Sequence, residues 1–407
     1  MARRLPIPTC KRATAFRRRW NWRGGTYPIS EYLAAQNVDA RINFGASSRQ
    51  RSVRILMATG ATVPSSDVIS APIMHREQER AYTAFDALAI DRNGAIMTGE
   101  IADDALRPGM INEFLQAATR ADSIALFSVA AATKCSIFPH VRRSAPAQGC
   151  GPLTPMEEVI AMAAATGGPL NICHVGSEAV GAIDHVLALI RGARTQGLNV
   201  TTEAYPCTAG GTLLGSVLFD KGWQEWIGGD YGDIEWPATG ERLTAEIFER
   251  YRRATPNGYA IIKMIPQRTV DTAMADPIVM VVADAVHFMN GKGHPRGAGT
   301  FPRTLGVCVR KRKVLASMDA VRKMTLMPAQ RLETIAPPIR NKGRVKLGAD
   351  DDLTLFEPAT VIDRATFSEP ILPSAGIPYV IVGGRLVVDS GSIVDGALPG
   401  KALRAGV

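Results

Sequence analysis

The densest set of residues suited to chemistry lies between Met280 and Gly306, in MVVADAVHFMNGKGHPRGAGTFPRTLG. An apolar, β-branched run from Ile278 to Val282 leads to Asp284, and a glycine-rich loop follows with His294, Arg296 and Arg303. The run reads as a buried strand that delivers a carboxylate to a cleft. The same aspartate would also serve as an ordinary turn cap, so its neighbours decide between the readings. Two other apolar runs end alike: Pro169 to Cys173 is followed by His174, and Tyr259 to Ile265 contains Lys263 near its end. Taken singly, such a histidine can be a hydrogen-bonded core residue and such a lysine can snorkel to water. Shared placement at strand ends is the stronger sign, because strand ends and their loops form the cleft of an α/β barrel.

The elements that would position these groups are clear from residue 154 onward. Thr154 and Glu157 make a capping box around Pro155 and predict a helix that stops at Gly167-Gly168. The strand to Cys173 follows, then a helix from Ala182 to Gln196 stopped by Gly197, then the strand LNVTTEAYP and a glycine-rich loop at Thr208 to Gly211. A helix is expected over Leu243 to Arg253, a short segment over Thr269 to Ala275 and a helix over Met318 to Met324. The alternation predicts an α/β fold of (β/α)8 type, incomplete in its first part, where turn signals are weak. Arg41 to Ala46 reads as a strand there and Pro108 to Arg120 as a helix. After Pro337 the pattern becomes short strands, with Gly383-Gly384 as a hairpin turn. The expected divisions are a basic, disordered segment over 1–25, a barrel over 26–336 and a small β-rich domain over 337–407.

The chain has 407 residues, 46% of them hydrophobic and 21% charged, with a net charge of +9. Much of the positive excess sits in the first 23 residues and in the run from Arg310 to Lys313, and no nucleic-acid-binding motif accompanies either. No apolar run approaches the roughly 18 residues that a membrane span needs. The basic start has no apolar stretch behind it, so a secretory signal is not expected and cytoplasmic residence is. Six cysteines without CxxC spacing argue against both a disulfide framework and a zinc knuckle. These features point to neither nucleic acid nor membrane as a partner.

The segments NICHVGSEAVGAIDHVLALIRGARTQGLNVTTEAYPCTAGGT, HPRGAGTFPRTLG, MDAVRKMTLMPAQRLE and KGRVKLGADDDLTLFEPATVIDRATF resemble the N-acyl-D-amino-acid deacylases, especially the N-acyl-D-glutamate type, of the amidohydrolase superfamily. The resemblance is dense from about Thr154 onward, while RINFGASSRQRSVRILMATGA and IFPHVRRSAP look like altered versions of family segments. It implies a zinc-dependent barrel hydrolase that cleaves the amide of an N-acyl-D-amino acid. On that mapping Asp284 is the general base and acid, and His174 is a zinc ligand. Arg296 would bind the substrate carboxylate, with His294, Tyr205 and Arg142 as further pocket residues.

The sequence also departs from the pattern. It has no His-x-His pair, and at the strand end assigned to another ligand histidine it carries Lys263, whose ammonium would repel a divalent cation. His287 is a substitute ligand to consider. The alternative reading is a catalytically inactive relative that binds acidic ligands. In this superfamily the appended β-domain is built from both chain ends, so residues 338–400 are expected to expose sheet edges and to favour oligomers.

Overall fold

Buried β-branched runs separated by amphipathic helices generate a parallel sheet, because parallel neighbours need a crossover between them. The computed structural model of the chain describes residues 19–26, 40–49, 95–100, 120–141, 153–219, 222–256, 258–285 and 291–403. Strands β1 (Arg19–Thr26), β2 (Phe44–Arg49), β3 (Ala95–Glu100), β4 (Ser136–His140), β5 (Leu170–Ile172) and β6 (Val200–Ala204) follow one another across one sheet. Every neighbouring pair is parallel. This sequential order is how a barrel winds. Residues 19–25 of β1 fall within the segment expected to be disordered, so that expectation does not hold for them. Arg41 to Ala46, expected as a strand, opens into β2, whereas most of Pro108 to Arg120 lies outside the described residues.

Helices α1 (Arg120–Thr133), α2 (Leu153–Thr166), α3 (Val175–Ala179) and α4 (Ile183–Thr195) run between the later strands. Gly167 and Gly197, both with positive φ, follow α2 and α4 where the sequence places their ends. Helix α2 starts one residue before Thr154, so that residue lies inside its first turn. Leu170, Ile172 and Val200 face this helix layer and form one core with Val159, Val186 and Ile190. Each such fully buried aliphatic side chain contributes about 1.5–3 kcal/mol. Phe138 and Cys173 point to the other face of the sheet.

Between β6 and the last strand of this sheet, the chain makes a separate four-stranded antiparallel sheet. Its strands are β7 (Gly210–Leu213), β8 (Ile234–Trp236), β9 (Glu241–Arg242) and β10 (Tyr259–Ile262), in the order β7-β10-β8-β9. Phe219, Trp223, Ile234, Phe248 and Ile262 form its own core. Helix α5 (Ala245–Ala254) belongs to it, and Thr244 Oγ1 caps that helix by accepting from Ile247 N–H. Thr208 to Gly211, expected as a loop, therefore runs into a strand. Glycine is required at 211, since a Cβ there would stand 2.2 Å from the Tyr259 hydroxyl.

This insertion corrects the placement of Lys263. The run from Tyr259 is a central strand of the antiparallel sheet, not a strand of the parallel one. A short apolar run looks the same in either setting, so periodicity alone could not separate them. Lys263 pairs with Glu235 on β8 at 2.7 Å and stacks its ammonium over Phe367. It does not stand in for a metal ligand at a barrel strand end.

Helix α6 (Gln267–Ala275) returns the chain to the parallel sheet, where β11 (Val279–Val281) pairs with β6. Seven parallel strands are thus present among the described residues. Helix α7 (Arg296–Arg303) continues into a wider π-helical segment, Thr304–Lys311. Pro302, which has no N–H to give, lies just before the widening. Helices α8 (Ser317–Met324) and α9 (Leu326–Leu332) follow, and α9 packs Ala329 and Leu332 against Phe138 and Cys173. Strands β12 (Leu353–Leu355), β13 (Tyr379–Val382), β14 (Arg385–Asp389) and β15 (Ser392–Ile393) form an antiparallel meander with Gly383-Gly384 at the predicted hairpin. Among the described residues no helix is long and apolar enough to cross a membrane.

Candidate functional site

Three groups gather beyond the C-terminal ends of β4 and β5. His140 is the last residue of β4, His174 lies two residues past β5, and Glu178 sits one turn further on in α3. His174 adopts φ 32° and ψ 52°, the left-handed region that favours glycine, where it starts α3. A non-glycine residue there costs on the order of 1–3 kcal/mol, and such strain concentrates at functional sites. His174 Nδ1 lies 3.2 Å from Glu178 Oε1 and 3.1 Å from Ser177 Oγ. The Ser177 hydroxyl donates to the His174 carbonyl, so its oxygen can accept from Nδ1–H. These contacts place the proton on Nδ1 and turn the Nε2 lone pair toward His140 Nδ1, 3.1 Å away.

That arrangement suits a divalent metal ion. Two imidazole nitrogens bound tetrahedrally to one zinc lie about 3.3 Å apart, from Zn–N lengths near 2.05 Å. One donor atom each from His140, His174 and Glu178 lies within 4.8 Å of the other two. Two histidines and a glutamate are also a known catalytic zinc set.

The second half of the site is built around Arg296. Asp284, three residues past β11, also takes a left-handed conformation, with φ 45°. Its carboxylate Oδ2 pairs with Arg296 Nη2 at 2.9 Å, and its backbone carbonyl accepts from Arg296 Nε at 2.8 Å. The guanidinium lies over the Tyr205 ring, 4.4 Å from its centroid, and Nη2 is 3.5 Å from the Tyr259 hydroxyl. Burial pushes the Tyr259 phenol well above its ordinary pKa, so it remains a neutral donor.

His294 supports this group from behind. Its Nε2–H donates to the Ala209 carbonyl at 2.9 Å, and its Nδ1 accepts from Arg296 N–H at 3.0 Å. It thereby caps the first turn of α7. Burial, helped by the nearby Arg296 charge, holds its pKa well below the ordinary histidine value, so it stays neutral with the proton on Nε2. Arg303 ties α7 to the end of β6 by donating to the Pro206 carbonyl at 2.7 Å, and it pairs with Asp363 at 3.0 Å.

Of the residues predicted from sequence, Asp284, Arg296, His294 and Tyr205 thus form one interconnected group. His174 belongs to the histidine–carboxylate cluster. Arg142 and His287 lie outside the described residues. Sequence reading did not single out His140 or Glu178 as donors, or Tyr259 as a neighbour of Arg296. His140 had a legible sign, since SIFPHV and LNICHV both run an apolar strand into a histidine. Glu178 is four residues from His174, the spacing of neighbours on a helix face. Tyr259 had no such sign, because it arrives from the inserted sheet.

No protein-family model matches the chain. It is 30% identical over 385 residues to the N-acyl-D-glutamate deacylase of Alcaligenes xylosoxydans xylosoxydans, covering 90% of this chain and 73% of that relative. With the N-acyl-D-aspartate deacylase of the same organism it is 31% identical over 224 residues, 53% of this chain but only 42% of the relative. The crystal structure of N-acyl-D-glutamate deacylase from Bordetella bronchiseptica, complexed with zinc and a phosphonate that mimics the tetrahedral intermediate, aligns with a TM-score of 0.70. That alignment has 27% identity and covers 93% of this chain and 75% of the other. The fold is therefore the α/β fold of the amidohydrolases, carrying a further small antiparallel sheet. Within that class, the chain belongs to the D-aminoacylase / N-acyl-D-glutamate deacylase family.

Proposed function

We propose that this protein hydrolyses the amide bond of N-acyl-D-amino acids that carry an acidic side chain, with N-acyl-D-glutamate as the first candidate. The observation that carries this reading is the identity with the N-acyl-D-glutamate deacylase over 90% of the chain. His140, His174 and Glu178 would hold zinc, which when bound supplies a Lewis acid and lowers the pKa of water. Asp284 takes a proton at a carboxylate oxygen and returns it to the departing amide nitrogen. Arg296 binds the substrate carboxylate, and its Nη2 then exchanges Asp284 Oδ2 for a substrate oxygen. Substrate binding thereby frees the carboxylate that moves the proton. Tyr205 holds the guanidinium plane, and neutral His294 fixes the loop that carries it.

A second reading, an inactive relative that binds acidic ligands, is supported by the same ion pair. With Asp284 held by Arg296 and no His-x-His pair in the sequence, both the base and part of the expected ligand set are altered. The purified chain, assayed for zinc content and for hydrolysis of N-acetyl-D-glutamate, N-acetyl-D-aspartate and their L-enantiomers, separates the two. The hydrolase reading expects turnover of the D-compounds alone, lost on chelation and restored by zinc. Zinc-free protein with no turnover after zinc is added would leave only the second reading.

A further inference from the structure

At the opposite end of the parallel strands from this site, Arg331 of α9 is buried, with 8% of its surface exposed. Its Nη1 donates to Asn199 Oδ1 at 2.6 Å, just before β6. Its Nε and Nη2 are also buried and have no hydrogen-bond partner among the described residues. Those two nitrogens form one edge of the guanidinium, the edge that takes a carboxylate through two parallel N–H bonds. No described carboxylate pairs with it. The charged side chain that acts on it is Arg194, of the same sign, and burial together with Arg194 lowers the Arg331 pKa to about 10.

A second donor lies on the same side of the sheet. Asn171 of β5 is fully buried, and its Oδ1 accepts from Thr201 Oγ1 at 2.7 Å. Its Nδ2 has no partner among the described residues. Asn171 pairs in register with Thr201, while the flanking Leu170, Ile172 and Val200 face the helix layer. Asn171 therefore points to the other side, where α9 packs on the sheet. Buried polar groups are nearly always satisfied, and an unpaired buried charge is costly enough to demand a counter-ion.

We propose that the edge of Arg331 binds a carboxylate-sized oxyanion at the floor of the parallel sheet, with the Asn171 amide as a further donor on that face. The site is separate from the histidine cluster and from Arg296, and it is independent of the hydrolase reading. The ligand that this chemistry admits is a small free oxyanion such as acetate or inorganic phosphate.

The test follows the melting temperature of the full chain, as wild type, Arg331→Lys and Arg331→Met, in acetate or inorganic phosphate against chloride at constant ionic strength. A free anion gives a saturable rise of a few degrees in the wild type that both variants lose, since lysine keeps the charge but not the edge. That result supports the proposal. It is overturned if no saturable rise appears in the wild type, or if Arg331→Met shows the same rise, as a water-filled site would give.

Discussion

Arg296 and Arg331 are both buried guanidinium groups, one at each end of the same parallel sheet, and they differ in how far they are satisfied. Arg296, 3% exposed, meets a carboxylate, a backbone carbonyl, a phenol and an aromatic face. Arg331, 8% exposed, meets one amide oxygen among the described residues. At the C-terminal ends of the strands, charges are matched within the protein, and left-handed residues at 174 and 284 hold the side chains in place. At the N-terminal ends, the charge of Arg331 is buried without a complement among the described residues. A buried ion pair and a lone buried charge respond to mutation in opposite directions, and that difference can be measured.

The largest effect is expected at Asp284. On the proposed mechanism Asp284→Asn lowers kcat for N-acetyl-D-glutamate by about 10²–10⁴-fold, the usual range for a general acid–base group. KM should change much less if Arg296 is the residue that binds the substrate carboxylate. Activity within tenfold of the wild type would show that the Asp284–Arg296 pair only supports the loop.

Stability tests the contrast directly. Removing either partner of the Arg296–Asp284 pair, by Arg296→Met or Asp284→Asn, should cost about 3–5 kcal/mol because it strands the other partner. The double variant should cost less than the sum of the two single variants. Arg331→Met, in buffer containing only chloride, strands no described charge and should be nearly neutral or stabilising if the occupant is a free oxyanion. Urea unfolding of the four variants gives these differences. A large loss for Arg331→Met under those conditions would show that the guanidinium is already compensated within the protein and make the two ends of the sheet alike.

Much of this geometry was legible in the sequence wherever a local rule determines it. Gly167, Gly197 and Gly383-Gly384 mark chain reversals by their need for positive φ, and the structure places turns at each. The loop His294-Pro295-Arg296 was legible as a binding element only through the family resemblance of HPRGAGTFPRTLG, and the burial of its arginine belongs to the structure. Lys263 was misplaced because a run such as YAII is equally at home in a parallel and an antiparallel sheet. Its true setting depends on Gly211, Leu213 and Glu235, which lie 24 or more positions away in sequence. Tyr259 was missed for the same reason. Arg331 was invisible because nothing in TLMPAQRLE tells whether its arginine faces water or the interior. Contacts decided by distant partners are the part that one sequence does not spell out.

A third buried cation ranks these effects at their small end. Lys323 of α8, 1% exposed, donates to the carbonyls of Met274 and Asp276 at the C-terminal end of α6. The helix end favours a cation there. Burial nevertheless outweighs it and the charge of Asp276, and lowers the lysine from an ordinary 10.5 to about 8. Between about pH 8 and 10.5 the unfolded chain binds this proton and the folded chain does not. Stability from this group therefore rises with pH across that window and is flat below it. Wild type should gain on Lys323→Met between pH 7.5 and 10 in urea unfolding, whatever the two stabilities are at neutral pH. Lys323 has carbonyl partners but no paired carboxylate among the described residues, so its expected behaviour lies between those of Arg296 and Arg331. An unchanged difference across the window would mean that the helix-end carbonyls compensate the buried ammonium as fully as Asp284 compensates Arg296.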